Sequence, residues 1–587
     1  MFKRYIKYRI DRIFSKGLTY QLIVLIFTII IILLFVSVFM KLVFDYPIAK
    51  AFWDSLMQFI DTGNISAVEA NLGVVITFLT VTFIGVCGWG LLIAMINNSL
   101  QDKIQNLSKG NAFIIEKNHS IILGYGEEAL TIIEEFIDGR AKKIVLLSKT
   151  DTDSIKKRIS FLNKKRKVDI IVRQGNPNII ENLKLLNIEK SNSISVINDN
   201  DADSIKILLS LRMIANKCSE VKNSNSMNIC VLVNDKNSIE LIKSIEEKEK
   251  FIIHIVYKYE ILYKLIAQSI IYTGLSSVYE ELFSYQGPDI KIEYKHNHSN
   301  SEFKKVASKY LSNSADSKLL LGVIGKDKNL CIPDSKYVIK EEDKLVILYT
   351  NYTEDGDKEV SKHTLEESLL INNVLLICNE NQNNELMETI IKEYNESSKI
   401  IRMNYNEIDK VDNKSDFISN KLKSEAITKI ILISEDIEID VKAINILLII
   451  RQVIKKENHH IPVLSLINSI ENRDLIRSDD IRDFIVSGNL IGMLMAHAAF
   501  NPDMLYLFNG LLSKNGKDII IKKYESLNNI SKIFKDIYLD SLNRKEIVIG
   551  YKRDNIIKLN PNPEDTLEIK DEIIVITDNY YKTNHNN

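Results

Sequence analysis

Two long charge-free apolar runs near the start of the chain restrict what it can fold into more than anything that follows. Residues 18–40 form the first, 23 positions of which seventeen are Leu, Ile, Val or Phe, and residues 72–96 form the second, 25 positions long. Each exceeds the ~20 residues that a helix needs to cross hydrocarbon. At roughly −0.3 to −0.6 kcal/mol per large aliphatic residue, insertion of the first run is favoured by roughly 5–10 kcal/mol. A cleaved signal peptide is the competing reading, but the apolar stretch is too long and no small-x-small cleavage site follows it. Lys3, Arg4, Lys7, Arg9, Arg12 and Lys16 precede the first run, whereas Lys41 and Lys50 between the runs are outweighed by Asp45, Asp54, Asp61 and Glu69. Positive charge stays on the cytoplasmic side, so both ends of the pair are expected in the cytoplasm.

Between the runs lies "AFWDSLMQFIDTGN" (51–64), apolar enough to enter a membrane and too short to cross it. Pro47 can start a helix there, and Ile48, Phe52, Leu56 and Phe59 share one face of it. Irregular backbone at membrane depth is tolerated where it lines a protein-walled aqueous path. Asp61, Thr62, Gly63 and Asn64 supply carboxylate, hydroxyl, flexible backbone and amide at that place, at the negative end of the helix. The pattern predicts span, pore helix, filter, span, with an ordinary surface hairpin as the rival reading. The potassium filter TVGYG is absent, so strict potassium selectivity does not follow from these residues and the permeant ion, potassium included, stays open; Asp61 is the first candidate for a charged ring. Gly85, Gly88 and Gly90 in "GVCGWG" of the second run allow either close helix packing or a gating hinge.

From about residue 97 the chain turns polar and periodic. "NHSIILGYGEEALTIIEEFI" (118–137) reads strand, glycine turn, helix, and short apolar strands alternate with helices beyond it. That spacing predicts βαβ units on a parallel sheet. Gly124, Gly126 and Ala129 stand where a dinucleotide fingerprint would, but the second strand ends in Leu147-Ser148-Lys149 without the carboxylate that would hold a ribose. A nucleotide site in this first loop and a ligand-free Rossmann-like turn are both open.

An internal repeat decides the architecture. Residues 258–287 align without a gap to 487–516, pairing Leu265 with Leu494, Ala267 with Ala496, Leu282 with Leu511 and Gly287 with Gly516. Residues 325–348 resemble 550–576, and 372–394 echo 118–137, with Cys378-Asn379-Glu380 replacing the glycines. The cytoplasmic part is one module present twice, each copy a Rossmann-like lobe, a helical crossover and a small β-rich lobe. The expected division is a basic N-terminus (1–17), a pore domain (18–96, its pore helix and filter at 47–64), a linker helix (97–117), a first module (118–350), a linker (351–366) and a second module (367–587).

"NDNDAD" (198–203) carries Asp199, Asp201 and Asp203. It lacks the glycine and glutamate of an EF-hand loop. Asp440 matches Asp203 in the repeat, which points to a helix-capping role, while Asp199 and Asp201 stay as a candidate calcium site. His296, His298, His459 and His460 lack metal-ligand spacing, and the basic stretch 156–167 reads as a solvated helix face. Five scattered cysteines without a CxxC pair fit a reducing compartment, and a net charge of −1 gives no case for nucleic acid. No nucleophile–base grouping argues for catalysis.

"FWDSLMQFIDTGN" (52–64), "NHSIILGYGEE" and "FIVSGNLIGMLMAHAAFNPDMLYLFNGLL" (484–512) together resemble the Castor/Pollux-type ion channel family, over about 50–580. The resemblance implies a homotetrameric channel for monovalent or divalent cations, in which tandem RCK (potassium-conductance regulator) domains form a cytoplasmic gating ring with calcium as a ring ligand. The two predicted spans, fewer than in plant members, suggest a prokaryotic plasma-membrane version. Two other classes fit the pattern: a hairpin-anchored sensor subunit of a separate cation transporter, and a membrane-bound nicotinamide-dependent oxidoreductase.

Overall fold

The computed structural model describes residues 18–61, 71–108, 112–139, 141, 143–162, 168–217, 227–246, 251–272, 275–285, 287–294, 296–312, 317–326, 330–350, 373–379, 384–394, 398–434, 437–457, 461–469, 471–472, 483–512, 516–524, 532–553 and 556–578. These fall into two compact units, one up to Ala112 and one from Phe113 onward.

The first unit holds three helices: α1 (Leu18–Phe44), α2 (Ile48–Ile60) and α3 (Leu72–Ser108). α1 and α3 are long and apolar enough to cross a membrane. Their large side chains point outward, Leu42 80% and Phe35 72% exposed, as lipid-facing residues would. α3 passes without a break through Gly85, Gly88 and Gly90 and on to Ser108, absorbing most of the expected linker helix. The short α2 packs against both long helices. Ala51 joins Met40, Val74 and Phe78 in one apolar cluster, and Phe59 joins Leu33 and Val81 in another.

The second unit contains both modules. The first begins with six parallel strands, β1 (Ser120–Leu123), β2 (Lys143–Ser148), β3 (Asp169–Gln174), β4 (Ser193–Val196), β5 (Met227–Val233) and β6 (Phe251–Tyr257), in the order 3-2-1-4-5-6. This is the doubly wound Rossmann order. Its helices are α4 (Glu127–Asp138), α5 (Thr152–Leu162), α6 (Ile180–Lys184), α7 (Asp201–Lys217) and α8 (Lys236–Ile245). They cover both faces, so β1 and β4 are buried at every residue and read as unbroken runs rather than alternations. The crossover follows as α9 (Lys258–Ile271) and α10 (Leu275–Phe283). The small lobe then combines α11 (Phe303–Leu311) with β7 (Asp289–Glu293), β8 (Ser317–Ile324), β9 (Leu330–Cys331) and β10 (Lys344–Thr350).

The second module repeats this with one loss. Its parallel strands β11 (Asn373–Ile377), β12 (Lys399–Met403), β13 (Lys429–Ile433), β14 (Val463–Ile467) and β15 (Asp483–Val486) run in the order 12-11-13-14-15. α12 (Asn384–Tyr394) joins the first two. Where the first module has its edge strand β3, this copy has α13 (Tyr405–Asp409) and α14 (Lys414–Ser424), and α15 (Ile437–Glu457) follows β13. The crossover is α16 (Ser487–Phe500) and α17 (Asp503–Leu511). The last lobe holds β16 (Lys517–Lys523), α18 (Phe534–Ser541), β17 (Glu546–Arg553), β18 (Ile556–Leu559) and β19 (Glu572–Asp578). The two small sheets share one antiparallel order, 7-10-8-9 and 16-19-17-18.

The crossover helices are exchanged between modules. α16 of the second copy packs along α4 of the first, and α9 of the first packs along α12 of the second. α16 is buried from Ser487 through Ala499, the state expected of a helix apolar on every side. One continuous core therefore joins Phe136 and Ile266 to Leu494 and Tyr538. The sequence repeat announces two modules; the packing makes them interdependent.

Candidate pore and gating elements

α2 starts at Pro47, which costs no hydrogen bond at a helix N-terminus. Its thirteen residues reach roughly 20 Å, short of a bilayer core. The buried positions are Ala51, Ser55, Gln58 and Phe59, while Ile48 is 51% exposed and Phe52 and Leu56 are only partly covered. The buried face is thus the one with small and polar side chains, not the Ile48–Phe52–Leu56 face that periodicity favours. Helices that meet inside a membrane select small residues and polar bridges, because lipid already satisfies the apolar ones. Gln58 Nε2 donates to Thr82 Oγ1 of α3 at 2.8 Å, and Tyr46 Oη donates to Asp54 Oδ2 at 2.8 Å.

Two of the three hinge candidates sit against the same residue. A Cβ on Gly85 would stand 2.6 Å from the Phe59 carbonyl oxygen, and one on Gly88 would stand 3.0 Å from the Phe59 ring. Gly90 has nothing within 4 Å. α2 ends at Asp61, whose N–H donates to Met57 O at 2.7 Å and whose side chain is exposed. Thr62, Gly63 and Asn64 lie outside the described residues.

In the first module, Gly124 adopts φ +110°, and a Cβ there would lie 1.7 Å from Ile197 O of the neighbouring strand end. Its glycine is required by the fold itself. Ala129 is fully buried in α4. The helix N-terminus that would receive a phosphate carries Glu127 and Glu128. Glu128 is ion-paired with Lys258 at 2.9 Å with both side chains largely buried, and Glu127 is paired with Arg158 at 3.1 Å. Burial raises the Glu127 carboxyl against the pull of Arg158. At the end of β2, Ser148 turns inward to accept from Thr150 N–H, and Lys149 pairs with Asp203 at 3.1 Å. Carboxylates at the helix start and a lysine where a ribose acceptor is needed do not fit a dinucleotide held in the Rossmann manner.

The acidic loop resolves differently from its sequence reading. Asp201 is 8% exposed, and its carboxylate accepts from the N–H groups of Asn234 (3.0 Å) and Asp235 (2.8 Å) and from Asn234 Nδ2 (3.2 Å). Asp440 does the same in the second copy, accepting from Asn468 N–H (3.1 Å), Ser469 N–H (3.1 Å) and Asn468 Nδ2 (3.2 Å). Asp440 therefore corresponds to Asp201, not to Asp203. Asp203 accepts from Asn178 Nδ2 at 2.7 Å and from Lys149, which lowers its pKa, and caps no helix. Asp201 is occupied in clasping the next strand's loop. Among the described residues no group of three or more His, Cys, Asp or Glu is placed to hold a metal ion. His296 Nε2 lies 2.8 Å from Asp343 O, while His459 and His460 lie outside the described residues. Arg158, in the stretch read as a solvated face, instead bridges Glu127 and Glu471 of the other module.

The exchanged helices are joined by buried polar contacts that no sequence motif announces. Gln268 Nε2 and Tyr279 Oη donate to Leu511 O at 3.1 and 3.0 Å, and Tyr394 Oη donates to Leu512 O at 2.7 Å. Lys429, wholly buried, donates to Ser269 O at 3.0 Å and to Ile270 O, at the last turn of α9. His497 Nε2 donates to Phe283 O at 2.7 Å and stacks on Tyr285, ring centroids 4.0 Å apart. Glu135 accepts from Tyr285 N–H at 2.7 Å and Ser284 Oγ at 3.2 Å. The legible signal was polar side chains in otherwise apolar helices.

Two of these groups give the second unit opposing pH slopes. Burial pushes Glu135 up from 4.5 to about 7 despite its two donors. Its contribution is intact below about pH 4.5 and is lost as pH rises towards 7, because the unfolded chain releases that proton first. Burial holds His497 down at about 4, so its contribution is present above pH 6.5 and is lost as pH falls towards 4. Glu135→Gln is expected to gain stability over the parent chain between pH 5 and pH 8, by up to about 3 kcal/mol. Unfolding midpoints of the two proteins across that range check this; a gap that does not widen with pH rejects it.

No protein-family model matches the chain. Curated relatives do. The "Probable ion channel POLLUX" of Oryza sativa subsp. japonica is 21% identical over 98% of this chain and 66% of its own length. "Probable ion channel SYM8" of Pisum sativum is 22% identical over 94% and 69%, and "Ion channel DMI1" of Medicago truncatula 20% over 96% and 71%. The chain spans about two thirds of the length of these relatives. The resemblance to Castor/Pollux-type ion channels thus extends over nearly all of it. The named relatives are plant proteins and lend no support to the expectation of a prokaryotic one. Relatives named as channels also point away from an enzyme. Among solved structures, the human SLO3 gating ring aligns with TM-score 0.55 at 14% identity, covering 79% of this chain and 99% of that one, which is a likeness of fold. The "GsuK channel bound to NAD" aligns with TM-score 0.40 at 13% identity, covering 97% and 98%.

Proposed function

We propose that this chain is one subunit of a ligand-gated cation channel, assembled as a tetramer, with both ends of its membrane unit in the cytoplasm. The observation that carries the reading is α2: a helix too short to cross, packed between two that can, with Asp61-Thr62-Gly63-Asn64 following it in the sequence. Four copies of that end would surround one aqueous path. Asp61 would form a ring of carboxylates and the negative end of each α2 would favour cations there.

The exchanged modules supply the regulatory half. A ligand shifts the pore only as far as its affinity differs between two shapes of the cytoplasmic assembly. Moving from 1% to 99% open takes about 5.5 kcal/mol in total, modest when divided among four or eight ligand sites. The fusion of α3 with residues up to Ser108 in one helix gives that shift a stiff path towards the pore.

The test is ion flux into liposomes carrying purified protein. Asp61→Asn combined with Gly63→Ala is expected to change the flux or its cation preference by about tenfold or more. Unaltered flux removes the filter assignment, and no flux from the parent protein favours the sensor-subunit alternative.

A further inference from the structure

The last turn of α2 is attached to α3 at two neighbouring points. Phe59 O lies against Gly85, a contact of shape alone. Gln58, one residue earlier and 3% exposed, adds a contact with direction: its Nε2 donates to Thr82 Oγ1 at 2.8 Å. Thr82 donates its own hydroxyl proton to Phe78 O, one turn back in α3, at 3.0 Å. Its oxygen can therefore only accept from α2, which fixes the Gln58 amide with its nitrogen towards α3. Ser55, one turn earlier on the same buried face, pairs its hydroxyl with no described residue, so it adds packing but no direction.

That bond stands one turn from the candidate charged ring. Asp61 follows Gln58 by three residues, about 4.5 Å along the helix axis. Packing against a glycine lets a helix roll about its own axis, whereas a hydrogen bond between side chains of two helices resists the roll. With Gln58 buried, water does not compete for the bond. A roll that leaves the depth of α2 unchanged still swings the Asp61 carboxylate sideways. The cost of such a swing depends on the ion. A monovalent cation is served by one carboxylate at a time, whereas a divalent cation gathers several oxygen ligands at once and loses more when any of them is displaced.

We infer that Gln58 is a positioning residue for the Asp61 ring, and that its bond to Thr82 sets how far the pore prefers divalent over monovalent cations. This role presupposes the channel reading; what it adds is a contact outside the filter segment that governs selectivity. Gln58 acts through where Asp61 stands and does not itself touch the ion.

Reversal potentials of the full chain in planar bilayers, with potassium gluconate on one side and calcium gluconate on the other, test this. They report the calcium-to-potassium permeability ratio and do not depend on how much protein folds or inserts, so a merely structural loss leaves them unmoved. Gln58→Met and Thr82→Val each keep a side chain of similar size without the bond, and each is expected to lower that ratio about threefold, the scale of one interhelical hydrogen bond in a membrane. Thr82→Ser retains the acceptor and is expected to keep the parental ratio. Gln58→Met combined with Thr82→Val is expected to lose no more than either change alone, since both remove the same bond. A ratio unmoved or raised in both single variants, equal losses in Thr82→Ser and Thr82→Val, additive losses in the double variant, or a conducting parent that passes no calcium overturns the assignment and leaves the channel reading in place. No current from the parent removes the channel reading, and this role with it.

Discussion

Gly492→Ala is expected to cost the second unit about 2–3 kcal/mol, although it adds a single methyl group. The new Cβ would stand 2.5 Å from Thr131 Cβ and 2.9 Å from Glu128 O. Both atoms are fixed to the α4 backbone, so no side-chain rotation relieves the overlap and the helices must separate. One turn earlier, Gly488 is equally close, its Cβ position 2.7 Å from Glu127 Cβ. Separation at either glycine loosens the whole exchanged contact, including the His497–Phe283 and Glu135–Tyr285 hydrogen bonds nearby. The matching change is Thr131→Gly. Alone it costs about 0.3 kcal/mol of helix propensity, because Thr is already a poor helix former, plus the packing of the lost side chain. With Gly492→Ala it is expected to recover about 1 kcal/mol or more, read as the coupling term of a double-mutant cycle in urea unfolding. Additive effects would mean that the two helices do not meet at these residues.

That contact shows where the sequence was legible and where it was not. The repeat between 258–287 and 487–516 predicts α9 and α16 at an offset of 229 residues, and the helices start and stop at that offset. The βαβ alternation predicts the Rossmann lobes, because burial on both faces writes itself as unbroken apolar strands. What the repeat cannot show is which copy each crossover helix covers, since both choices bury the same side chains. The trace that existed was Gly488-x-x-x-Gly492 in a helix with no polar face, a pattern for close approach to a neighbour. The acidic loop failed for a related reason. Asp201 and Asp203 lie two positions apart, and only Asn234, far along the chain, decides which of them is the clasp. On α2, periodicity picks the most apolar face, a rule that holds when the opposite face meets water. Here Gln58 and Ser55 turn inward and Ile48 and Trp53 outward.

Gly85→Ala is expected to reduce cation flux about tenfold at equal protein in the liposomes, whereas Gly90→Ala should stay within about twofold of the parent. The difference separates packing from hinge bending. A hinge depends on backbone freedom, which alanine restricts at either position alike. Packing depends on what a methyl group would meet. At Gly85 it meets the Phe59 carbonyl at 2.6 Å and the Phe59 Cα at 3.2 Å, both backbone atoms in the last turn of α2. At Gly90 it meets nothing within 4 Å. Moving that last turn displaces Asp61, two residues on, from wherever four copies would converge. Gly88→Ala should fall between the two, because its obstacle is the tip of the Phe59 ring at 3.0 Å, which can turn aside. Equal losses at Gly85 and Gly90 would instead identify a flexible α3 as the moving part. Normal flux in Gly85→Ala would show that conduction does not depend on where α2 rests against α3, and the pore-helix role of α2 would fall with it.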